Sequence, residues 1–157
     1  VASRNRRRDG HVYPDLVAQT REKLIRTGTP WVIENVPGAP VRGDYILCGS
    51  MFNMRIVRHR LFEVSWGPIS WERPKCNHHP DYVTVVGHGT PQWMRLSRIK
   101  KGLYPNISVN EKREIMEMPW ANRYELAQAI PPAYTEYIGK ELMVYLAGER
   151  KTESRPS

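Results

Sequence analysis

The chain has 157 residues, of which 40% are hydrophobic and 25% charged. That length suits one compact domain, and that composition can bury a core, so wholesale disorder is excluded. Lys and Arg number 24 against 16 Asp and Glu, a formal charge of +8 that points to a polyanionic partner.

Four arginines crowd into Val1 to Asp9 with no apolar stretch behind them, so this is not a secretory signal. A first helix is expected from about Pro14 to Thr27, with Leu16, Val17, Thr20, Leu24 and Ile25 on one face and Gly28 as its stop. Pro30 to Val36 reads as a strand. Its run Trp31-Val32-Ile33 is that of a strand buried on both faces of a parallel sheet, and the turn Pro37-Gly38-Ala39-Pro40 follows. Tyr45 to Cys48 and Arg58 to Val64 read as two further strands. In the second, Arg58, Arg60 and Phe62 share one face and His59, Leu61 and Glu63 the other. Gly67 to Asn110 has no clear period, and long irregular segments inside a domain are commonly functional. Asn110 is expected to cap a short helix through Met118, and Asn122 with Glu125 forms a capping box. Pro131-Pro132 opens a longer helix with Tyr134, Ile138, Leu142 and Tyr145 along one stripe, and Glu149 to Ser157 is a polar tail. No run reaches the length of a transmembrane helix, so no membrane partner is expected. Two cysteines make no disulfide framework, and a reducing cytoplasm is the expected location.

Glu34 stands at the carboxyl end of its strand, the edge where open α/β sheets bind ligands. A carboxyl desolvated there is pushed towards its neutral form, which can donate to a ring nitrogen or act as a general acid. The plainer alternative is a strand-end Glu satisfied by a backbone amide or an arginine. Arg58 and Arg60 suit bidentate recognition of a phosphate or a base carbonyl, and salt bridges are their alternative. Cys76, His78 and His79 offer metal-ligand atoms, but a second CxxC or HxxxH half is lacking. A solvated loop is therefore read there, and no metal is expected. Cys48 reads as a small core residue. Trp93, Arg95, Arg98, Lys100 and Lys101 form a basic stretch with an aromatic, suited to tracking a phosphate backbone and stacking on a base.

Three motifs occur in order: Glu34-Asn35-Val36 after an apolar strand, Arg58-His59-Arg60-Leu61-Phe62, and Ala127-Gln128-Ala129-Ile130-Pro131-Pro132 entering a helix with Ile138-Gly139. Together they resemble the C-terminal half of a DNA cytosine-5 methyltransferase, of the compact kind carried by phages and actinobacteria and associated with restriction-modification. The resemblance implies an α/β fold: the C-terminal part of a Rossmann-like class I methyltransferase sheet with a small irregular target-recognition lobe. Residues 1–66 and 111–148 would be the core, 67–110 the target-recognition region and 149–157 the tail. It implies that Glu34 engages N3 of cytosine, that Arg58 and Arg60 support the active site, and that Ala127, Gln128, Ala129 and Ile130 close the pocket for the methyl donor, S-adenosylmethionine. Ile56-Val57 stands where the family usually has Gln-Arg, and Gln128 where it has Asn.

The family's Phe-x-Gly-x-Gly cofactor loop and Pro-Cys nucleophile loop are missing from the chain, so by itself it is expected to be inactive. Double-stranded DNA is the implied partner, with a separate N-terminal half or a second copy as a further one. A non-catalytic DNA-binding remnant and one subunit of a split enzyme are the alternatives to a severed methyltransferase.

Overall fold

The computed structural model describes residues 16–68, 75–85 and 107–153, with side chains to residue 148. The elements in chain order are α1 (Leu16–Ile25), β1 (Val32–Asn35), β2 (Tyr45–Leu47), a 3-10 turn (Gly49–Phe52), β3 (Arg60–Val64), α2 (Val109–Ile115), α3 (Arg123–Gln128) and α4 (Pro132–Glu153). The chain divides into two compact units. Of the described residues, the first holds 16–46, 60–68 and 142–153, and the second holds 47–59, 75–85 and 107–141. This division cuts across the core and recognition region read from the sequence.

The first unit is built on a mixed α/β plan around a three-stranded sheet of order β1-β3-β2. β1 pairs with β3 antiparallel, in the register Val32↔Val64, Ile33↔Glu63, Glu34↔Phe62 and Asn35↔Leu61. The parallel pairing expected for β1 is therefore not what the described residues contain, and no doubly wound sheet is seen among them. The burial of β1 follows from this. Ile33 is buried and Val32 is exposed, because an antiparallel sheet can leave one face to solvent. The core of the unit is small: Ile33, Tyr45, Phe62 and Val64. Leu16 and Ile25 of α1, Val32, Val36, Ile46, Met143 and Val144 all remain exposed. The helix α1 ends at Ile25, and the turn after it closes at Gly28, whose φ of 66° suits the left-handed stop. Its inward face is Val17, Arg21 and Leu24, and none of its residues is buried. Of the expected face, Val17 and Leu24 turn inward, while Leu16, Thr20 and Ile25 point to solvent.

What joins these pieces is a buried acid. Glu63 is fully buried and accepts from Arg21 Nε at 2.6 Å, Arg21 Nη2 at 2.8 Å and the backbone amide of Arg42 at 3.0 Å. Arg21 also donates to the carbonyl of Pro40. Arg42 in turn pairs with Asp44 and donates to the carbonyl of Val64, while Asp44 accepts from the amide of Val64. Helix, turn and strand are thus tied through one carboxylate.

In the second unit the core is Leu47, Cys48, Met54, Ile56, Val83, Val85, Met116, Ala121, Leu126, Tyr134 and Ile138. The segment 75–85 is fastened by a parallel bridge between Ile56 and Val83, with Val57 N donating to Val83 O and Val83 N to Arg55 O. Ile56 is wholly buried, which explains an apolar residue at this position. The helix α2 is capped by Ser108 in a reciprocal box with Glu111, two residues before the expected Asn110. The box of Asn122 with Glu125 caps α3 as the sequence indicates. The helix α4 runs on to Glu153, into the segment read as tail. Gly49 cannot carry a side chain: a Cβ there would lie 2.2 Å from Ile56 Cγ2 and 2.8 Å from its carbonyl oxygen.

The Arg21 guanidinium, hydrogen-bonded to Glu63, holds that carboxyl below its usual value of 4.5, against the opposing effect of burial. A lowered carboxyl stabilises the fold above its unfolded value, and that contribution is lost as pH falls through the folded one. Acid titration of unfolding should therefore show stability falling below about pH 4.5, with a shallower fall in Glu63→Gln. Arg21→Ala, which strands the buried carboxylate, should cost about 3 kcal/mol in urea unfolding at pH 7.

Candidate functional site

Register on the sheet places the first pair of residues. Glu34 lies opposite Phe62, so Arg60, two residues along β3, is its diagonal neighbour on the same face. Arg60 Nε lies 2.9 Å from Glu34 Oε1, with the arginine side chain 13% and the glutamate side chain 32% exposed. An arginine at that distance is the partner expected of an ionised carboxylate. Glu34 Oε1, on the Arg60 side, is buried, while the side chain as a whole is about one-third exposed. The salt-bridge alternative raised from the sequence is thus the arrangement seen for Arg60.

Arg58 is different. It lies in the second unit, before the start of β3, and is 5% exposed. Its Nη1 donates to Val85 O, and its Nη2 donates to both Ala127 O and Ala129 O, each at 2.8 Å. The hydroxyl of Tyr134 donates to the carbonyl of Arg58 at 2.6 Å. A planar guanidinium with several fixed donors can satisfy three carbonyls at once, which an ammonium cannot do with the same geometry. Arg58 therefore fastens the end of α3 and the lead into α4 to the segment ending at Val85. Within its own unit Arg58 is committed to carbonyls, and within its own unit Arg60 lies against Glu34.

The segment Ala127 to Ile130 offers an exposed Gln128 and the partly buried Ala127, Ala129 and Ile130. With the carbonyls of Ala127 and Ala129 engaged by Arg58, it presents one free amide side chain and no charged group. These residues alone do not amount to a site for S-adenosylmethionine. A groove of about 540 Å³ in the second unit is lined by other residues: Asn110, Arg113, Glu114, Glu117 and Pro119. Trp93, Arg95, Arg98, Lys100 and Lys101 lie outside the described residues.

A second constellation lies within the second unit. Cys48 Sγ, His59, Cys76 Sγ and His78 bring their ligand atoms within 4.8 Å of one another. Cys48 Sγ is 3.4 Å from His78 Nε2, Cys76 Sγ is 3.4 Å from His59 Nε2, and Cys76 Sγ is 2.6 Å from His78 Nε2. The two imidazole rings meet edge to face at 5.1 Å. Ser50 Oγ reaches both sulfurs, at 3.5 Å from Cys48 and 3.3 Å from Cys76, and accepts from the amide of Asn77. Burial, with His78 beside it, holds the His59 imidazole below its usual 6.5. Burial pushes the Cys76 thiol up, against the hydrogen bond from Ser50.

Sequence spacing leaves Cys76, His78 and His79 without a second half. Cys48 and His59 supply it from across the fold, a juxtaposition that no local pattern carries. His79 turns away and pairs with Asp81 on the exposed side. No protein-family model, curated protein or solved structure matches the chain.

The two arginines should separate on conservative replacement. Arg58→Lys leaves buried carbonyls unanswered and should cost about 3 kcal/mol in urea unfolding, whereas Arg60→Lys should cost about 1 kcal/mol or less. Equal losses would show that Arg58 is not the structural member of the pair.

Proposed function

We propose that this chain is the base-recognising, C-terminal portion of a DNA cytosine-5 methyltransferase. The observation that carries the reading is the Glu34–Arg60 pair, which brings together residues of two separate sequence motifs at the carboxyl end of β1. Further support comes from the first unit, whose β1 has β3 as its strand partner among the described residues and which keeps Val32, Val36 and Ile46 exposed. An open edge with uncovered apolar side chains suits a sheet continued by further strands. Antiparallel strands are common at the edges of otherwise parallel sheets, so the β1–β3 pairing is compatible with a larger Rossmann-like sheet.

On this reading the target cytosine leaves the duplex and meets Glu34 with its Watson–Crick edge. Arg60 holds one carboxyl oxygen, so the other is aimed at N3. Glu34 takes up a proton from solvent, which loosens its tie to Arg60, and donates it to N3 as a cysteine thiolate, supplied from outside this chain, adds to C6. S-adenosylmethionine, held largely by groups outside this chain, would supply the methyl group to C5; loss of the C5 proton to a base and of the thiolate from C6 would then restore the ring. Arg60 acts as a positioning residue, and Arg58 acts through the backbone around Ala127 to Ala129. The basic stretch from Arg95 to Lys101, with Trp93, belongs to the same proposal as the DNA-tracking segment.

The test is binding of the chain to duplexes that each hold one unpaired base opposite an abasic site. Unpaired cytosine should bind about 10-fold more tightly than unpaired thymine, as one good polar contact to a base edge provides. Glu34→Ala should abolish that preference while leaving the salt dependence of binding unchanged. Equal affinity for the two bases in the unaltered chain would overturn the reading.

A further inference from the structure

We propose that Cys48, His59, Cys76 and His78 form a structural zinc site that clamps the segment following Cys76 onto the body of the second unit. The inference is independent of the methyltransferase reading.

The donor set is the first argument. Two sulfurs and two imidazole nitrogens, with no carboxylate among them, match the preference of zinc for mixed thiolate and imidazole ligation. Geometry is the second. A tetrahedral ion with bonds of about 2.3 Å to sulfur and about 2.0 Å to nitrogen separates its sulfur and nitrogen ligands by about 3.6 Å. Two of the sulfur–nitrogen pairs already stand at 3.4 Å. The third, Cys76 to His78 at 2.6 Å, joins exposed residues, where a side-chain rotation widens it. Four protein ligands fill the tetrahedron, so the site holds structure and leaves no open position for a reacting water.

The surroundings form the third argument. Ser50 is 8% exposed and touches both sulfurs, as hydrogen-bonding partners of metal thiolates do. Cys48 is buried at the end of the β2 run, on a turn whose Gly49 is packed against Ile56. His59 directly follows the buried Arg58. These two ligands sit on well-packed chain. Cys76 and His78 sit on a loop whose residues 75–81 are exposed and lack regular structure. Such a loop has little apolar burial to order it. A metal that joins it to packed chain stabilises it by closing a long loop. Binding displaces one proton from each thiol, so two are released to solvent as two zinc–sulfur bonds form, and both imidazoles bind through their neutral Nε2.

The experiment is elemental analysis of the purified chain, followed by replacement of zinc with cobalt(II). We expect one zinc per chain, released by a thiol-modifying mercurial. The cobalt form should show the strong visible absorption of a tetrahedral ion with thiolate-to-cobalt charge transfer. Cys76→Ser and His78→Asn, both on the exposed side, should weaken zinc binding at least about 100-fold, and Ser50→Ala about 10-fold. Failure of a variant to fold does not remove the test, because stoichiometry and the cobalt spectrum are read on the unaltered chain. A zinc-free chain carrying a Cys48–Cys76 disulfide would overturn the proposal. So would zinc held with unchanged affinity in Cys76→Ser, or an octahedral cobalt spectrum without charge transfer.

Discussion

A charge taken out of water has to be answered by other polar groups, and the run Arg58 to Glu63 meets that demand three times. Arg58 answers three backbone carbonyls in the second unit. Glu63 is answered by Arg21 and the amide of Arg42 in the first. Arg60 is answered by Glu34 across the sheet. In the first two the central charged group, Arg58 or Glu63, is itself buried and organises its own unit. In the third the acid, Glu34, is about one-third exposed, and that difference separates framework from candidate chemistry.

This distinction assigns different work to residues that look alike. Arg58 and Arg60 are two positions apart, yet one stitches loop and helix backbone and the other steadies an acid. A guanidinium that holds one oxygen of Glu34 fixes the direction of the other, which is what recognition of a base edge requires. The Cys48, His59, Cys76 and His78 cluster extends the same logic to the loop after Cys76. That loop is short of apolar contacts and would be organised by coordination instead.

Features carried by local chemistry were legible in the sequence. The Asn122–Glu125 box, the Gly28 stop and the buried Tyr134 and Ile138 of α4 needed only neighbours along the chain. Features carried by distant pairing were not. Trp31-Val32-Ile33 read as a strand buried on both faces because an apolar run does not disclose its partner, and the antiparallel β3 leaves Val32 exposed. Alternation put Glu63 on a face but could not announce Arg21, 42 residues away. Cys48 and His59 could be joined to Cys76 and His78 only by the fold. Glu34 and Arg60 were both named from the sequence, but their contact needed the β1–β3 register.

On the proposed reading, Glu34, steadied by Arg60, serves cytosine chemistry completed by groups outside this chain. The most direct measurement mixes the chain with the N-terminal half of a cytosine-5 methyltransferase that carries the cofactor and nucleophile loops. Transfer of labelled methyl from S-adenosylmethionine to DNA is then followed. Transfer is expected with the unaltered chain and should be lost in Glu34→Gln, with the zinc content unchanged. Transfer that persists undiminished in Glu34→Gln, or no transfer from a mixture shown to form a complex on DNA, would contradict it.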